Sequence, residues 1–125
     1  MHIIIPMSGF GERFRKAGYT VPKPLIQVDG KPIIEYVVNM FPGETNFSFI
    51  CNEDHLNDNY QMKEILTEVC PSGRIIGIKP HKLGPVHAVL QIASCIDDIE
   101  PVIVNYCDFP CYWHYSDFKE FVSKE

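Results

Sequence analysis

The sequence predicts an α/β fold with three layers, in which helices cover both faces of a mostly parallel sheet. Four short runs rich in Ile, Val and Phe, at residues 2–7, 47–51, 74–79 and 101–106, are typical of buried strands. Helix-like segments separate these runs, so the predicted order is βαβαβαβα. Strands joined by helices of this length imply parallel pairing through crossover connections.

Each segment between the strands carries a helix signal. Pro32 suits the first position of a helix that its apolar spacing carries to about Met40. A more polar helix is expected at residues 56–69, and Pro85 opens a third. A fourth is predicted near the C-terminus from three apolar residues, Phe118, Phe121 and Val122.

Composition limits the class of protein. A chain of 125 residues suits one domain, and 46% hydrophobic with 22% charged residues is typical of a soluble protein without a membrane role. The net charge of -5 argues against general binding of nucleic acid. Five scattered cysteines, and an apolar run at residues 3–5 that is too short for a signal peptide, predict a cytoplasmic protein.

Ligands of such sheets bind beyond the carboxyl ends of the strands, where the sequence predicts three loops, at residues 8–24, 79–85 and 107–114. In the first loop, Gly9 and Gly11 let backbone N–H groups approach a phosphate, and Arg13, Arg15 and Lys16 add positive charge. A plain strand-to-helix turn explains the two glycines equally well.

Two common phosphate motifs do not fit this loop. A dinucleotide fingerprint needs a third glycine where the chain has Phe14, and a P-loop needs four residues between its glycines. Lys23 follows, between Pro22 and Pro24, whose fixed φ angles predict an extended segment that aims the ammonium group.

These residues resemble the N-terminal signature of the sugar-phosphate nucleotidyltransferases, in which a strand is followed by G-x-G-x-R, P-K-P-L and V-x-G-K-P. The matching segments here are GFGER at 9–13, PKPL at 22–25 and VDGKP at 28–32. Downstream, LGPVHAV at 83–89 resembles the family's segment that meets base and ribose, and VIVNYCDF at 102–109 resembles its strand ending in a metal-binding Asp.

The resemblance implies a Rossmann-like nucleotide-binding fold and transfer of a nucleoside monophosphate from a nucleoside triphosphate to a phosphorylated acceptor, with release of pyrophosphate. Arg13 would stabilise the leaving pyrophosphate, Lys23 would bridge the α-phosphate and the acceptor phosphate, and Asp108 would hold Mg²⁺. The nucleotide would also contact further residues of the same loops, namely Met7, Ser8, Gly9, Phe10, Gly11, Glu12, Lys79, Gly84 and Pro85.

The chain also departs from the family pattern. Members typically continue beyond this length and supply a second metal-binding Asp, so residues 1–125 are expected to be the N-terminal, nucleotide-binding part of the domain. A nucleotide-binding module without catalysis is the alternative. Lys79 stands where uridylyl- and thymidylyltransferases often carry Gln, and a donor-only side chain favours CTP, with UTP and dTTP as alternatives.

The acceptor is expected to be a sugar phosphate or related metabolite for surface polysaccharide. The sequence is compatible with a monomer and with a homo-oligomer. Four aromatic residues follow Asp108 and suit either stacking on a sugar or hydrophobic packing: Phe109, Tyr112, Trp113 and Tyr115. His87 is expected to pack against the loop before it. A zinc site at Cys107, Cys111 and His114 lacks a fourth ligand.

Overall fold

The computed structural model describes residues 1–9, 18, 21–57 and 61–124. In chain order its strands are β1 (His2–Met7), β2 (Gln27–Val28), β3 (Lys31–Pro32), β4 (Phe47–Asn52), β5 (Arg74–Ile78) and β6 (Val102–Val104). Four of them form a parallel sheet in the spatial order β5-β4-β1-β6. The short β2 and β3 pair antiparallel in a separate hairpin.

The helices lie on both faces of this sheet. They are α1 (Ile33–Val38), α2 (Glu53–Asn57), α3 (Met62–Val69), α4 (Pro85–Gln91) and α5 (Tyr115–Ser123). The predicted α/β class with a mostly parallel sheet is therefore confirmed. No helix in the described part of the chain is long and apolar enough to cross a membrane.

Strand β1 is the centre of the fold. It pairs with β4 on one side and β6 on the other, and all six of its residues are buried. Ile3 and Ile5 point into a core that contains side chains of α1, α3 and α5, whereas Ile4 points into a smaller core under α4. This two-sided burial explains why the strand is a continuous apolar run rather than an alternating one.

Three predicted boundaries were wrong. Pro32 is not the first helical residue: it pairs with Gln27 in β3 and stays extended, at φ -64° and ψ 147°, just before α1. The Asp29-Gly30 turn, with φ of +52° and +79°, makes this hairpin, and the strand pairing takes precedence over the helix signal of Pro32.

The other two concern a helix and a strand. The helix predicted at 56–69 is two helices, and α3 begins after Gln61, whose left-handed φ of +58° is incompatible with a continuous helix there. Strand β6 ends at Val104 rather than Tyr106, because the chain turns after the backbone N–H of Asn105 bonds to the carbonyl of Ile4.

A buried carboxylate joins the elements at the amino edge of the sheet. The side chain of Glu44 is 6% exposed and accepts bonds from Lys119 Nζ at 2.7 Å, the Tyr115 hydroxyl at 2.8 Å and the N-terminal ammonium at 3.1 Å. Burial alone would raise the pKa of Glu44, but these three donors outweigh it and lower the pKa to about 2. The loop before β4, the start of β1 and helix α5 are thereby held together.

The Glu44 contacts predict a pH-dependent contribution to stability. The folded pKa lies below the ordinary value of 4.5, so the stabilisation is present above about pH 4.5 and is lost as the pH falls toward about 2. Glu44→Gln is expected to lower the free energy of unfolding by about 3 kcal/mol at neutral pH, measured by urea denaturation. The exposed Glu68→Gln serves as the control, and an equal effect of both changes at pH 7 would contradict the role of Glu44.

Candidate functional site

The carboxyl ends of three parallel strands bring the predicted loops to one edge of the sheet. Ser8 and Gly9 follow β1, Lys79 follows β5, and Asp108 lies four residues after the end of β6. Because β1 lies between β4 and β6, Ser8 and Gly9 stand in the middle of this edge. Ligands of open α/β sheets bind in this position.

Lys23 and Asp108 form an ion pair across this edge. Lys23 Nζ lies 2.6 Å from Asp108 Oδ2, and the two side chains are 34% and 31% exposed. The sequence placed both residues at the site but did not predict that they would contact each other. An ammonium and a carboxylate that remain accessible in this way can exchange their mutual contact for a ligand.

Lys23 is held by a short 3₁₀ turn rather than by the extended segment that its flanking prolines predicted. Pro22 is extended, at φ -56° and ψ 144°, but residues Lys23–Leu25 form the turn, in which the N–H of Leu25 bonds to the carbonyl of Pro22 at 2.9 Å. Pro24 and Leu25 are buried. Burial of these two apolar side chains anchors the turn and leaves the Lys23 side chain directed to Asp108.

Asn105 shapes the loop that carries Asp108. Its side-chain amide donates to the carbonyl of Tyr106 at 2.8 Å and to the carbonyl of Phe109 at 3.4 Å. The two carbonyls stand on opposite sides of Asp108 in the chain, so one amide group ties the loop at both ends. The position of the Asp108 carboxylate is therefore set by local backbone contacts as well as by Lys23.

The first nucleotide-contact candidates begin at the end of β1. Met7 is buried and pairs with Cys51 of β4, Ser8 is buried, and Gly9 is exposed with open space where a Cβ would stand. The other residues that the sequence assigned to this loop lie outside the described residues: Phe10, Gly11, Glu12, Arg13, Arg15 and Lys16.

The loop after β5 carries the residues assigned to the base. Lys79 is exposed, and Pro85 is the first residue of α4. Gly84 has a φ of +88° and open space where a Cβ would stand. A side chain would be strained at this φ, so glycine is required here by the backbone.

A hydrogen bond that the sequence did not predict joins two of these loops. Ser8 Oγ lies 3.2 Å from His81 Nε2, and the ring of His81 lies 4.6 Å from the ring of His87 on α4. His87 thus packs against the preceding loop, as expected. A histidine in the β5 loop and a serine directly after β1 were the available sequence signal, but nothing in the sequence showed that they would meet.

The aromatic segment after Asp108 divides into packed and exposed residues. Trp113 donates its indole N–H to the carbonyl of Met40 at 2.8 Å and packs edge-on against Phe41, while Tyr115 is buried. Phe109 and Tyr112 stay exposed. Hydrophobic packing therefore accounts for Trp113 and Tyr115, and it occurs within the chain itself.

The same segment borders an apolar groove of about 330 Å³ against the end of α1. Lys23, Ser8 and His81 do not line this groove. Its lining consists of Tyr36, Asn39, Met40, Pro42, Pro110, Cys111, Tyr112, Trp113 and Tyr115.

The side chains at this edge differ in how well they suit Zn²⁺ and Mg²⁺. No group of three or more His, Cys, Asp or Glu side chains suited to a metal ion occurs in residues 1–9, 18, 21–57 and 61–124, so Cys107, Cys111 and His114 do not form a zinc centre there. Burial, followed by the Asp108 charge, raises the pKa of Cys107 to about 12. Asp108 supplies a hard carboxylate, a donor that fits Mg²⁺ when substrate phosphates complete the coordination.

The chain is similar in sequence to sugar nucleotidyltransferases. The bifunctional protein GlmU of Ralstonia nicotianae is 28% identical over 110 residues, 88% of this chain and 22% of GlmU. The UTP–glucose-1-phosphate uridylyltransferase of Escherichia coli K12 is 24% identical over 123 residues, 81% of this chain and 41% of that enzyme. No protein-family model matches the chain.

Solved structures share the fold. A nucleoside-diphosphate-sugar pyrophosphorylase from Vibrio cholerae superposes with a TM-score of 0.63 at 21% identity, covering 93% of this chain and 52% of that one. A UDP-glucose pyrophosphorylase complexed with UDP-glucose gives a TM-score of 0.58 at 22% identity, covering 98% of this chain and 52% of that one. The chain thus spans about half the length of these structures and less than half of the sequence relatives.

The exposure of the Lys23–Asp108 pair predicts that it contributes little to stability. Ion pairs of this accessibility are typically worth about 1 kcal/mol or less. Lys23→Met, Asp108→Asn and the double variant are expected to keep the parent's free energy of unfolding within about 1 kcal/mol, measured by urea denaturation. The exposed pair Lys124–Glu120, changed in the same way, provides the matched control. A loss of about 3 kcal/mol or more would identify a structural pair instead.

Proposed function

We propose that this chain carries the nucleotide-binding part of a nucleotidyltransferase, which transfers a nucleoside monophosphate from a nucleoside triphosphate to a sugar phosphate and releases pyrophosphate. The observation that carries the proposal is the accessible Lys23–Asp108 pair, at 2.6 Å, at the carboxyl edge of a parallel sheet. Similarity to a uridylyltransferase and to sugar pyrophosphorylases supports the same reaction class.

The reaction joins two anions, and this defines what the residues must do. An oxygen of the acceptor phosphate attacks the α-phosphorus while the bond to pyrophosphate breaks, so positioning and charge neutralisation are the main requirements. Lys23 would bind both the α-phosphate and the acceptor phosphate and so reduce their repulsion. Its ammonium would leave Asp108 for these oxygens.

Asp108 would be the protein ligand of Mg²⁺, together with oxygens of the substrate. A Mg²⁺ ion held in this way supplies positive charge to the phosphates of the bound nucleotide. Asn105 would keep the Asp108 loop in place when Lys23 leaves, because its amide contacts the backbone on both sides of Asp108.

The triphosphate would lie over the loop after β1. Met7 and Ser8 are buried and support the start of this loop, and the open space over Gly9 leaves room for a phosphate to approach closely. The roles of Phe10, Gly11, Glu12 and Arg13 are part of the proposal, with Arg13 stabilising the charge that develops on pyrophosphate.

The base and ribose would meet the loop after β5. The open space over Gly84 allows a flat ring to approach the backbone, and Pro85 begins the helix beside it. Lys79 is exposed and donates only, so it suits the O2 and N3 acceptors of cytosine. On this ground we propose CTP as the nucleotide, with UTP and dTTP as alternatives. The acceptor would be a precursor of surface polysaccharide, and the reaction would take place in the cytoplasm.

Lys23→Ala is expected to abolish pyrophosphate release, because the repulsion between the two phosphates would be left unscreened. The measurement is a coupled pyrophosphate assay with each nucleoside triphosphate, Mg²⁺ and a panel of sugar phosphates. Lys63→Ala, an exposed lysine on α3, is the control and should keep the parent rate. Retained turnover in Lys23→Ala would refute the role of Lys23. Nucleotide binding without turnover by the parent would favour the alternative of a binding module.

Lys79→Gln is expected to shift nucleotide preference from CTP toward UTP. Glutamine both donates and accepts, so it can pair with the N3–H of uracil, which Lys79 would repel. Calorimetric titration with CTP, UTP, dTTP, ATP and GTP, with and without Mg²⁺, should show about a tenfold change in the ratio of the CTP and UTP dissociation constants. Lys63→Gln should leave the ratio unchanged, and an unchanged ratio in Lys79→Gln would contradict the proposed contact.

A further inference from the structure

His81 makes two hydrogen bonds that a single neutral tautomer satisfies together. Its Nδ1 accepts from the backbone N–H of Leu83 at 3.1 Å, and its Nε2 lies 3.2 Å from Ser8 Oγ. Since Nδ1 accepts, the ring proton stands on Nε2, which donates to the Ser8 hydroxyl. The neutral ring in this one tautomer satisfies both contacts.

The groups around His81 favour this neutral form. On α4 the ring of His87 lies 4.6 Å from the ring of His81, and Gln91 Nε2 lies 3.3 Å from His87 Nε2. On its own loop Lys79 lies two residues before His81 and Lys82 directly follows it. Burial, followed by the charge of His87, lowers the pKa of His81 from its ordinary 6.5.

Protonation would break the contact with Leu83. A proton on Nδ1 would face the Leu83 N–H, so two donors would oppose each other at 3.1 Å. The added charge would also stand 4.6 Å from the ring of His87. The ring would have to turn away, and the bond to Ser8 would be lost with it.

We propose that neutral His81 is a positioning residue that holds Ser8, directly after β1, against the loop after β5, and that its protonation breaks this contact and weakens nucleotide binding. The proposal rests on the proposed function, in which the loop after β1 would receive the triphosphate and the loop after β5 would receive the nucleobase. Its basis is that Ser8 comes directly after β1 and adjoins Gly9, while Leu83 adjoins Gly84.

The direction of the pH effect follows from the neutral form. Because the fold favours neutral His81, its hydrogen bonds to Ser8 and Leu83 are present above about pH 6.5 and are lost as the pH falls below that value. Nucleotide affinity should therefore decrease on acidification. The triphosphate also titrates in this range, so each variant must be compared with the parent at the same pH.

The test is the dissociation constant of the best-binding nucleotide, measured by calorimetry from about pH 8 to about pH 5. His81→Ala and Ser8→Ala are each expected to weaken binding about fivefold at the upper end, and the double variant no further, because both changes remove the same bond. At low pH the dissociation constant of His81→Ala should approach that of the parent, because protonation removes the same bond from the parent.

Two further variants separate positioning from a general structural effect. In His81→Gln the amide can donate to Ser8 and does not titrate, so affinity should be partly restored and should depend less on pH than in the parent. His114→Gln removes an exposed histidine before α5 and should keep the parent profile. Nitrogen chemical shifts of the His81 ring report its tautomer without any nucleotide.

The outcomes distinguish the two proposals. If the parent binds a nucleotide but His81→Ala, His81→Gln and Ser8→Ala keep its affinity and pH profile, the role of His81 is overturned and the proposed function stands. An Nδ1–H tautomer would overturn it as well. If the parent binds no nucleotide at any pH, the proposed function fails and the role of His81 with it.

Discussion

The burial of β1 between β4 and β6 is the constraint on which the rest of the structure depends. Its residues fill both cores, so a shift by one residue would exchange side chains between the larger core, which holds Ile3 and Ile5, and the smaller core, which holds Ile4. The backbone of Asn105 extends the same pairing by bonding to Ile4. Once this register is fixed, the chain must leave β1 at Ser8, and the loops after β5 and β6 must open at the same edge of the sheet.

The candidate site is then made by contacts between loops rather than within elements. Lys23 meets Asp108, and Ser8 meets His81. These contacts are polar and join segments far apart in the chain, and Lys23 and Asp108 remain about one third exposed. Such contacts add little to stability, but they set the positions of charged and hydrogen-bonding groups. A ligand with phosphate oxygens can replace the Lys23–Asp108 contact at low cost, because its oxygens offer the same ammonium a comparable partner.

Local signals in the sequence predicted what local physics determines. The apolar run of β1, the start of α4 at Pro85 and the loops at the carboxyl ends all follow from patterns of a few residues. The sequence could not show that Pro32 pairs with Gln27, or that Lys23 lies in a 3₁₀ turn anchored by buried neighbours. Strand pairing and burial outweigh propensity at these positions. Contacts such as Ser8 with His81 depend on sheet order, which the sequence alone left open.

The amino edge of the sheet stabilises the fold, whereas the carboxyl edge carries the candidate site. At the amino edge Glu44 is buried and satisfied by three donors, an arrangement that is costly to break and so ties β1 to α5. Trp113 adds to the same assembly through its bond to Met40. With the frame held there, the carboxyl edge need not contribute to stability, so Lys23 and Asp108 can remain accessible. The division explains how a chain of this size can keep charged, exchangeable contacts at one edge without losing its fold.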